Sequence, residues 1–276
     1  MIDSIPLLKP LTKPVRRMVS AKIDQRIRTF TETIPISEFF DNDIFIVGYP
    51  KSGNTWFQNI LAGLIYGVNP EFTPDSVIQD LIPDVHYKRY YRRYRTSMVF
   101  KSHSFPRPDY RKVIYIVRDG RDVMVSYFYY LKVLRERQGI DISFEQLLLE
   151  KDGLFQKKLW HEHVEAWLKN PYGADLILIK YEDMLHNFVG ELENICKFIG
   201  FDAPRYRLEE IERQTAFNKM RSKEMKFGMN NPAWPKDKLF ARRGKAGSYK
   251  DEMPIEIQKY FLQTASDSLS KLNYIV

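Results

Sequence analysis

The 276 residues suffice for one large α/β domain or two smaller ones, and 44% hydrophobic with 14% aromatic residues excludes a disordered chain. A single cysteine, Cys196, excludes an intramolecular disulfide and favours a reducing compartment. The formal net charge of +8 favours an anionic ligand, and by itself it also permits nucleic acid or a membrane surface as the partner.

Membrane insertion and secretion are not expected from this sequence. No apolar run reaches the ~18 residues that a membrane span requires. The N-terminus also lacks the basic, then apolar, then small-residue order of a signal peptide. We therefore expect a cytoplasmic protein.

The chain begins with a basic lead-in over residues 1–36, in which residues 15–30 are predicted to form an amphipathic helix. Its apolar residues are few and small, so packing on the domain is favoured over binding to lipid. No internal repeat, low-complexity tract or linker follows, and we expect residues 1–276 to form one domain with its core over 37–265.

Short apolar segments bounded by polar or turn residues predict buried strands at 44–47, 98–100, 113–117 and 176–179. Helical patterns lie at 55–66, 121–135, 155–168, 184–199, 207–218 and 255–272. Strands that alternate with helices predict an α/β fold, with a central, mostly parallel sheet flanked by helices. Ligands of such sheets bind at the carboxyl ends of the strands.

The most informative segment covers residues 44–57 and reads IFIVGYPKSGNTWF. A strand, a glycine-containing loop and a helix N-terminus bind phosphate, because the unpaired N–H groups of the first helical turn converge on an anion. Gly48 and Gly53 have P-loop spacing, but the lysine is Lys51 inside the loop. Asn54 stands where Mg-dependent nucleotide hydrolases have their lysine. The segment predicts a phosphate-bearing ligand that is not handled as ordinary ATP.

The strand at 113–117 leads directly into Arg118, and a helix that contains Ser126 follows. A Walker B strand would end in an aspartate that holds Mg²⁺. Arg118 instead carries a guanidinium suited to bidentate phosphate binding. The exchange favours a second anion site over a metal site. The alternative is a solvated helix start whose charges pair with each other.

Two further segments carry candidate functional groups. Lys101 and His103 follow the strand at 98–100, and a histidine at a strand end beside an anion loop is a candidate general base, because its pKa lies near neutral pH. Residues 240–247, FARRGKAG, place three cations among two glycines. Such a loop can fold around an anion, and the alternative is a flexible basic surface loop.

Residues 88–95, KRYYRRYR, interleave basic residues with tyrosines. Such a run can grip nucleic acid by pairing with phosphates and stacking on bases. A solvated helix face with some aromatic packing is the favoured interpretation. A third interpretation is that the run steers an anionic or polyhydroxylated substrate.

Three of these segments, in this order, resemble the cofactor motifs of soluble sulfotransferases that use 3′-phosphoadenosine 5′-phosphosulfate (PAPS). The matching stretches are YPKSGNTW at 49–56, YIVRDGRDVMVSY at 115–127 and RRGKAG at 242–247. Lys101-Ser-His103 stands where the family keeps its catalytic histidine, and the resemblance extends from about residue 37 to about residue 265.

The resemblance implies in-line transfer of a sulfuryl group from PAPS to a hydroxyl, phenol or amine of a small-molecule acceptor, with no metal and no nucleic-acid partner. His103 would be the general base, with Lys51 and Lys101 assisting. The 5′-phosphosulfate would be held by Lys51, Ser52, Gly53, Asn54 and Thr55. The adenine would lie among Trp56, Tyr181, Thr215 and Phe217. The 3′-phosphate would be held by Arg118, Ser126, Arg242, Arg243 and Gly244.

This sequence departs from the family pattern at three places. The common Thr-Thr after the loop glycine is Asn54-Thr55, and the usual Gly-Asp-Trp ending of the basic loop is Gly247-Ser-Tyr249. A short dimerisation motif of many animal members is absent after Lys250, so dimerisation through it is not predicted. A P-loop kinase and a basic nucleic-acid-binding module remain the alternative functions. The acceptor walls are expected in loops 67–96, 132–150 and 220–240.

Overall fold

The computed structural model describes residues 13–149, 159–231, 234–235 and 237–275. The strands are β1 Ile34–Pro35, β2 Ile44–Gly48, β3 Tyr90–Tyr91, β4 Val99–Ser102, β5 Lys112–Val117 and β6 Asp175–Lys180. Four of them form one sheet in the order β4-β2-β5-β6, and every neighbouring pair is parallel. The predicted α/β fold and all four predicted strands are confirmed.

The strand register brings the predicted functional segments to one edge. Val47 pairs with Ser102 on one side and with Tyr115 on the other, so β2, β4 and β5 end at nearly the same level. β6 ends beside β5, with Lys180 opposite Val117. The loops after these strands therefore open at one edge of the sheet, as the sequence predicted.

The two faces of the sheet are covered by separate hydrophobic cores. In β2, Phe45 and Val47 lie in one core, whereas Ile44 and Ile46 lie in the other. This alternation follows from the two-residue period of a strand. Because both faces are covered, the strand is apolar throughout and fully buried.

Helices cover both faces and the ends of the sheet. The longer ones are α1 Lys13–Thr31, α2 Asn54–Tyr66, α4 Gly120–Glu136, α6 Trp160–Lys169, α8 Phe188–Ile199, α9 Arg205–Thr215, α10 Phe217–Phe227 and α12 Ile255–Lys271. The shorter ones are α3 Asp75–Leu81, α5 Phe144–Leu149, α7 Tyr181–His186 and α11 Tyr249–Glu252. Over the described ranges, no helix is both long and apolar enough to cross a membrane.

Two predicted helices are interrupted in the structure. The helix predicted over 184–199 is α7 and α8, because Asn187 has φ −140° and leaves the helical region. The helix predicted over 207–218 ends at Thr215, because Ala216 has ψ 147°. The short helices α3, α5 and α11 were not predicted, and residues 155–158 of the predicted helix 155–168 lie outside the described residues.

The basic run at 88–95 is not a helix, so that part of the prediction was wrong. Tyr90 and Tyr91 form β3, which pairs antiparallel with β1. Arg93 forms a bidentate ion pair at 2.6 Å with the buried carboxylate of Asp43. Arg89 lies 3.2 Å from the carboxylate of Asp24 on α1. These two ion pairs connect the run at 88–95 to the N-terminal helix and to the residue before β2. Fewer of its cations are therefore available to bind an external phosphate.

Candidate active site

The loop after β2 is held in a conformation that requires glycine. Lys51 has φ +73° and Gly53 has φ +103°, which is the left-handed region, and α2 begins at Asn54. A Cβ atom on Gly53 would lie 2.8 Å from Cδ2 of Tyr181, and one on Gly48 would lie 2.7 Å from the carbonyl oxygen of Ile116. The backbone therefore turns tightly against strand β5 and the first residue of helix α7.

Buried polar atoms around this loop have no hydrogen-bond partner among the described residues. They are Ser52 Oγ, Asn54 Oδ1 and Arg118 Nε. Ser52 is fully buried and Arg118 is only 9% exposed. Buried polar atoms are normally satisfied, so the two unpaired donors beside a helix N-terminus, Ser52 Oγ and Arg118 Nε, fit an anionic ligand. Asn54 Oδ1 is an acceptor and does not contribute to binding an anion. The donor set of the loop is therefore compatible with a phosphate or sulfate group.

His103 lies against the base of the loop. Its Nδ1 is 2.8 Å from the carbonyl oxygen of Gly48 and 2.8 Å from Nδ2 of Asn54. A proton on Nδ1 donates to the Gly48 carbonyl and leaves Nε2 unprotonated. Burial and the nearby Lys101 ammonium lower the pKa of His103 to about 4. The imidazole is therefore neutral at neutral pH, but in the unliganded protein it is a weaker base than the near-neutral pKa expected from the sequence implies.

The Asn54 side chain accordingly does more than replace a hydroxyl of the family pattern. Its Nδ2 donates to the Gly48 carbonyl at 2.8 Å, so the amide connects the start of α2 to the end of β2. Nδ2 also lies 2.8 Å from Nδ1 of His103, which donates to the same carbonyl. The sequence departure at this position places a hydrogen-bonding amide next to the candidate base.

Lys51 extends from the loop into an aromatic enclosure. Its Nζ lies 3.6 Å from the ring centroid of Phe240 and 4.6 Å from that of Tyr130, distances typical of cation–π contacts. Trp234 stacks on Tyr130 at 5.4 Å. Burial, followed by repulsion from Arg118 and Lys101, lowers the pKa of Lys51 to about 7. The ammonium is therefore poised to gain from a negative group or to release its proton.

Lys101 reaches the same loop from β4. Its Nζ lies 3.0 Å from Oδ2 of Asp84 and 3.3 Å from Oγ1 of Thr55. Both charged side chains are almost completely buried. Asp84 was not identified from the sequence, because nothing local to it marks a contact with a strand that follows more than ten residues later.

Arg118 lies where β5 ends. Its guanidinium donates to the carbonyl oxygens of Lys51 at 3.4 Å and Lys245 at 3.0 Å, and it is 4.5 Å from the ring of Tyr181. It therefore joins the loop after β2 to the basic loop near the C-terminus. Ser126 follows in the second turn of α4 and is partly buried.

The basic loop is held in place by carboxylates that were not singled out from the sequence. Asp122 is buried and accepts hydrogen bonds from the backbone N–H groups of Gly247 at 2.8 Å and Tyr249 at 2.9 Å. Glu252 pairs with Arg242 at 2.5 Å and with Arg243 at 2.9 Å. Asp122 belongs to the quoted RDGRD stretch, so it carried a signal, whereas Glu252 carried none.

The aromatic residues assigned to the adenine lie together on the far side of the loop. Trp56 Nε1 donates to the Thr215 carbonyl at 2.8 Å, and its ring meets that of Tyr181 edge-on at 5.5 Å. Gly244 has φ +61°, and a Cβ there would lie 2.1 Å from the ring of Phe217. The structure thus brings Trp56, Thr215 and Tyr181 into contact with one another, and Phe217 into contact with Gly244 of the basic loop.

We find no group of three or more metal-binding side chains in the ranges that the structure describes. That none is needed stays a prediction. Cys196 is buried on α8, away from this edge, and burial raises the pKa of its thiol to about 11. This fits its expected role as a small core residue.

Comparison with known proteins places this geometry in a family. A family model described as the sulfotransferase domain matches residues 41–273. A rat sulfotransferase 1A1 is 28% identical over 85% of this chain and 88% of its own length. A rabbit amine sulfotransferase is 24% identical over 89% of this chain and 84% of its own length.

Solved structures of similar fold include two proteins in complex with PAP. A retinol dehydratase in complex with androsterone and the inactive cofactor PAP has a TM-score of 0.63 at 20% identity, covering 84% of this chain and 82% of its own. Mouse sulfotransferase SULT7A1 complexed with PAP has a TM-score of 0.59 at 22% identity, covering 92% and 91%. The resemblance inferred from the three motifs is confirmed, and the chain belongs to the sulfotransferase family.

Proposed function

We propose that this protein transfers a sulfuryl group from PAPS to a hydroxyl, phenol or amine of a small-molecule acceptor. One observation carries the proposal: among the residues that the structure describes, the buried donors Ser52 Oγ and Arg118 Nε have no partner at a phosphate-type loop, and a neutral His103 lies at its base. Family membership and the PAP complexes of proteins with this fold support the choice of nucleotide.

The donor side of the site is assigned residue by residue. Residues 51–55 and the N-terminus of α2 would hold the 5′-phosphosulfate, and Trp56 and Tyr181 would flank the adenine, with Thr215 and Phe217. The 3′-phosphate would meet Arg118, Ser126, Arg242, Arg243 and Gly244. When bound, PAPS supplies an activated sulfuryl group and a phosphate as the leaving group.

Three side chains of the protein are assigned to the chemical step. Nε2 of His103 takes the proton of the acceptor, because Nδ1–H is held by the Gly48 carbonyl. The ammonium groups of Lys51 and Lys101 provide positive charge where negative charge develops on the leaving side. With a pKa of about 7, Lys51 is also able to deliver a proton there. These three residues are the proposed catalytic set.

The class of acceptor is the least defined part of the proposal. Amine sulfotransferase is the name of one relative, and androsterone is bound in one protein of similar fold. The acceptor walls are expected at 67–96, 132–150 and 220–240, and the first and third contain aromatic residues such as Tyr87, Phe227 and Trp234. A cytoplasmic location and one domain over 1–276 complete the proposal.

Nucleotide binding gives the first test. We expect 3′-phosphoadenosine 5′-phosphate (PAP) to bind the purified protein with micromolar affinity in isothermal titration calorimetry, with EDTA present. ATP with Mg²⁺ is the control, because it lacks the 3′-phosphate that Arg118 is proposed to meet. Tighter binding of ATP with Mg²⁺ than of PAP would favour a kinase and contradict the proposal.

Transfer gives the second test. The protein is incubated with PAPS and a panel comprising a phenol, a sterol alcohol and a primary amine, and sulfated products are detected by mass spectrometry. At least one class should be sulfated at a rate that depends on His103. Salt-dependent binding to arbitrary RNA without any effect of PAP would instead favour the nucleic-acid-binding alternative.

A further inference from the structure

Residues 83–86 lie at the edge of the sheet, where they form an isolated parallel bridge with β4. The backbone N–H of Lys101 donates to the carbonyl of Pro83 at 2.9 Å, and that of Val85 donates to the carbonyl of Lys101 at 3.0 Å. The two bonds on either side of Asp84 fix its position opposite Lys101 in a parallel bridge. The location of Asp84 is therefore set by the backbone.

The carboxylate of Asp84 is turned toward the candidate active site. Oδ2 lies 3.0 Å from Nζ of Lys101, and Oδ1 accepts the backbone N–H of His86 at 2.8 Å. Asp84 is completely buried, and Lys101 is 5% exposed. Removing one partner of a buried ion pair leaves an uncompensated charge, which is strongly unfavourable. Asp84 is thus the counter-charge that allows an ammonium group to be buried here.

Lys101 connects Asp84 to the loop after β2, because its Nζ also lies 3.3 Å from Oγ1 of Thr55. The same short segment contacts the candidate base. Nε2 of His86 accepts the backbone N–H of His103 at 3.0 Å, and the two imidazole rings lie 5.7 Å apart and nearly parallel. Residues 84 and 86 therefore touch a proposed catalytic residue each.

We propose that Asp84 is a positioning residue for the transfer reaction, which holds the Lys101 ammonium against Thr55 of the phosphosulfate loop without touching the substrate. This inference rests on the proposed function. It adds a requirement, since the charge of Lys101 assists transfer only while Asp84 fixes its direction. A purely structural role for Asp84 would affect folding stability and leave the turnover of folded molecules unchanged.

A double-mutant cycle tests the inference. The variants are Asp84→Asn, Lys101→Met and the double variant, and each is measured for kcat, for KM of PAPS and for Tm. We expect Asp84→Asn to lower kcat by about 10-fold to 100-fold, because misplacement of a catalytic group is costly. In the Lys101→Met background, the same change should alter kcat by less than about twofold. The double variant buries no unpaired charge, so it can be compared with Lys101→Met even if Asp84→Asn fails to fold. In that case, a kcat of the double variant well below that of Lys101→Met would overturn the inference.

Asp43→Asn is the matched control. Asp43 is also a fully buried carboxylate in an ion pair, with Arg93, but it lies at the opposite end of β2. The Asp43→Asn variant should be less stable than the wild type and should keep the wild-type kcat. Wild-type kcat for Asp84→Asn, or an equal loss of kcat with and without Lys101, would overturn the inference. Absence of PAP binding and of transfer in the wild type would instead overturn the proposed function.

Discussion

The two proposed anion sites at the sheet edge are built differently. The loop at residues 49–55 is short and joins a buried strand to a helix, and its buried hydroxyl, Ser52 Oγ, has no hydrogen-bond partner in the described chain. The basic loop at residues 240–249 is fastened by backbone hydrogen bonds to Asp122, and both of its arginines pair with Glu252. One site is open toward an anion, whereas the other already holds a carboxylate.

This difference suggests a division of roles. The loop at 49–55 is preorganised, so a ligand gains contacts there without displacing any from the protein. At the basic loop, a phosphate must compete with the Glu252 carboxylate for the two arginines. Part of the binding free energy that the phosphate gains is therefore offset by the loss of these ion pairs. Substitutions near the first site should therefore change turnover most, and substitutions near the second should change nucleotide affinity. Four experiments bear on this division.

The largest expected effect is on turnover at the first site. His103→Ala and Lys51→Ala should each lower kcat by about 10² to 10⁴-fold, because a general base and a charge-stabilising group are removed. The far-ultraviolet circular dichroism spectrum should be unchanged. Arg243→Ala is the contrast, and it should weaken PAP binding in calorimetry while kcat at saturating PAPS stays within about tenfold. Near-wild-type kcat in His103→Ala or Lys51→Ala would remove that residue from the catalytic set.

Backbone geometry at the first site gives the next effect. Gly53→Ala should weaken PAP binding by at least tenfold, because φ +103° is strained for alanine and the new Cβ would lie 2.8 Å from the Tyr181 ring. Gly139→Ala is the matched control, since Gly139 has φ +72° but no neighbour within 4 Å of the new atom. The control should lose only stability, and equal PAP affinity in both variants would contradict the prediction.

The charged Lys51 side chain is expected to lower the stability of the folded protein near neutral pH. Folding lowers its pKa from 10.5 to about 7, so the unfolded chain binds the additional proton between these pH values. Stability therefore rises with pH across this window, and the burial penalty is complete below pH 7. Lys51→Met should raise Tm at pH 7 by roughly 2–4 °C for about 1 kcal/mol relieved. This advantage should shrink toward pH 10.5.

Lys223→Met is the control for that experiment. Lys223 is a buried lysine, and its ammonium lies 3.1 Å from Asp75 Oδ1 and 2.6 Å from Asn59 Oδ1. Its loss should lower Tm, because two polar partners are left unpaired. A fall of Tm in both variants would mean that Lys51 stabilises the fold through its aromatic contacts.

The smallest expected effect tests the second site. Glu252→Gln removes the carboxylate from Arg242 and Arg243, and PAP should then bind a few-fold more tightly with a steeper dependence on salt. Asp251→Asn is the control, because it removes the same charge from an exposed neighbour whose contact with Lys245 is 3.9 Å. Weaker PAP binding in Glu252→Gln would show that the carboxylate orders the arginines for the phosphate.

Local patterns in the sequence were sufficient for the frame of the fold. A strand buried on both faces is a short apolar run, and 44–47 and 113–117 were predicted on that basis to within one residue of the strands observed. Helix ends were predicted less well, since the breaks at Asn187 and Ala216 carry no glycine or proline signal. The run at 88–95 was misjudged because its charges pair with residues far away in the chain.

The sequence by itself determined the anion loop, the candidate base and the cationic residues, because these are contiguous motifs attached to strand ends. Only the tertiary structure decided which charges are compensated. Asp84 meets Lys101, Glu252 meets two arginines, and Lys51 enters an aromatic enclosure built from two distant segments. Burial and neighbouring charge set the pKa of a side chain and the freedom of a cation, and both depend on contacts that sequence order does not reveal.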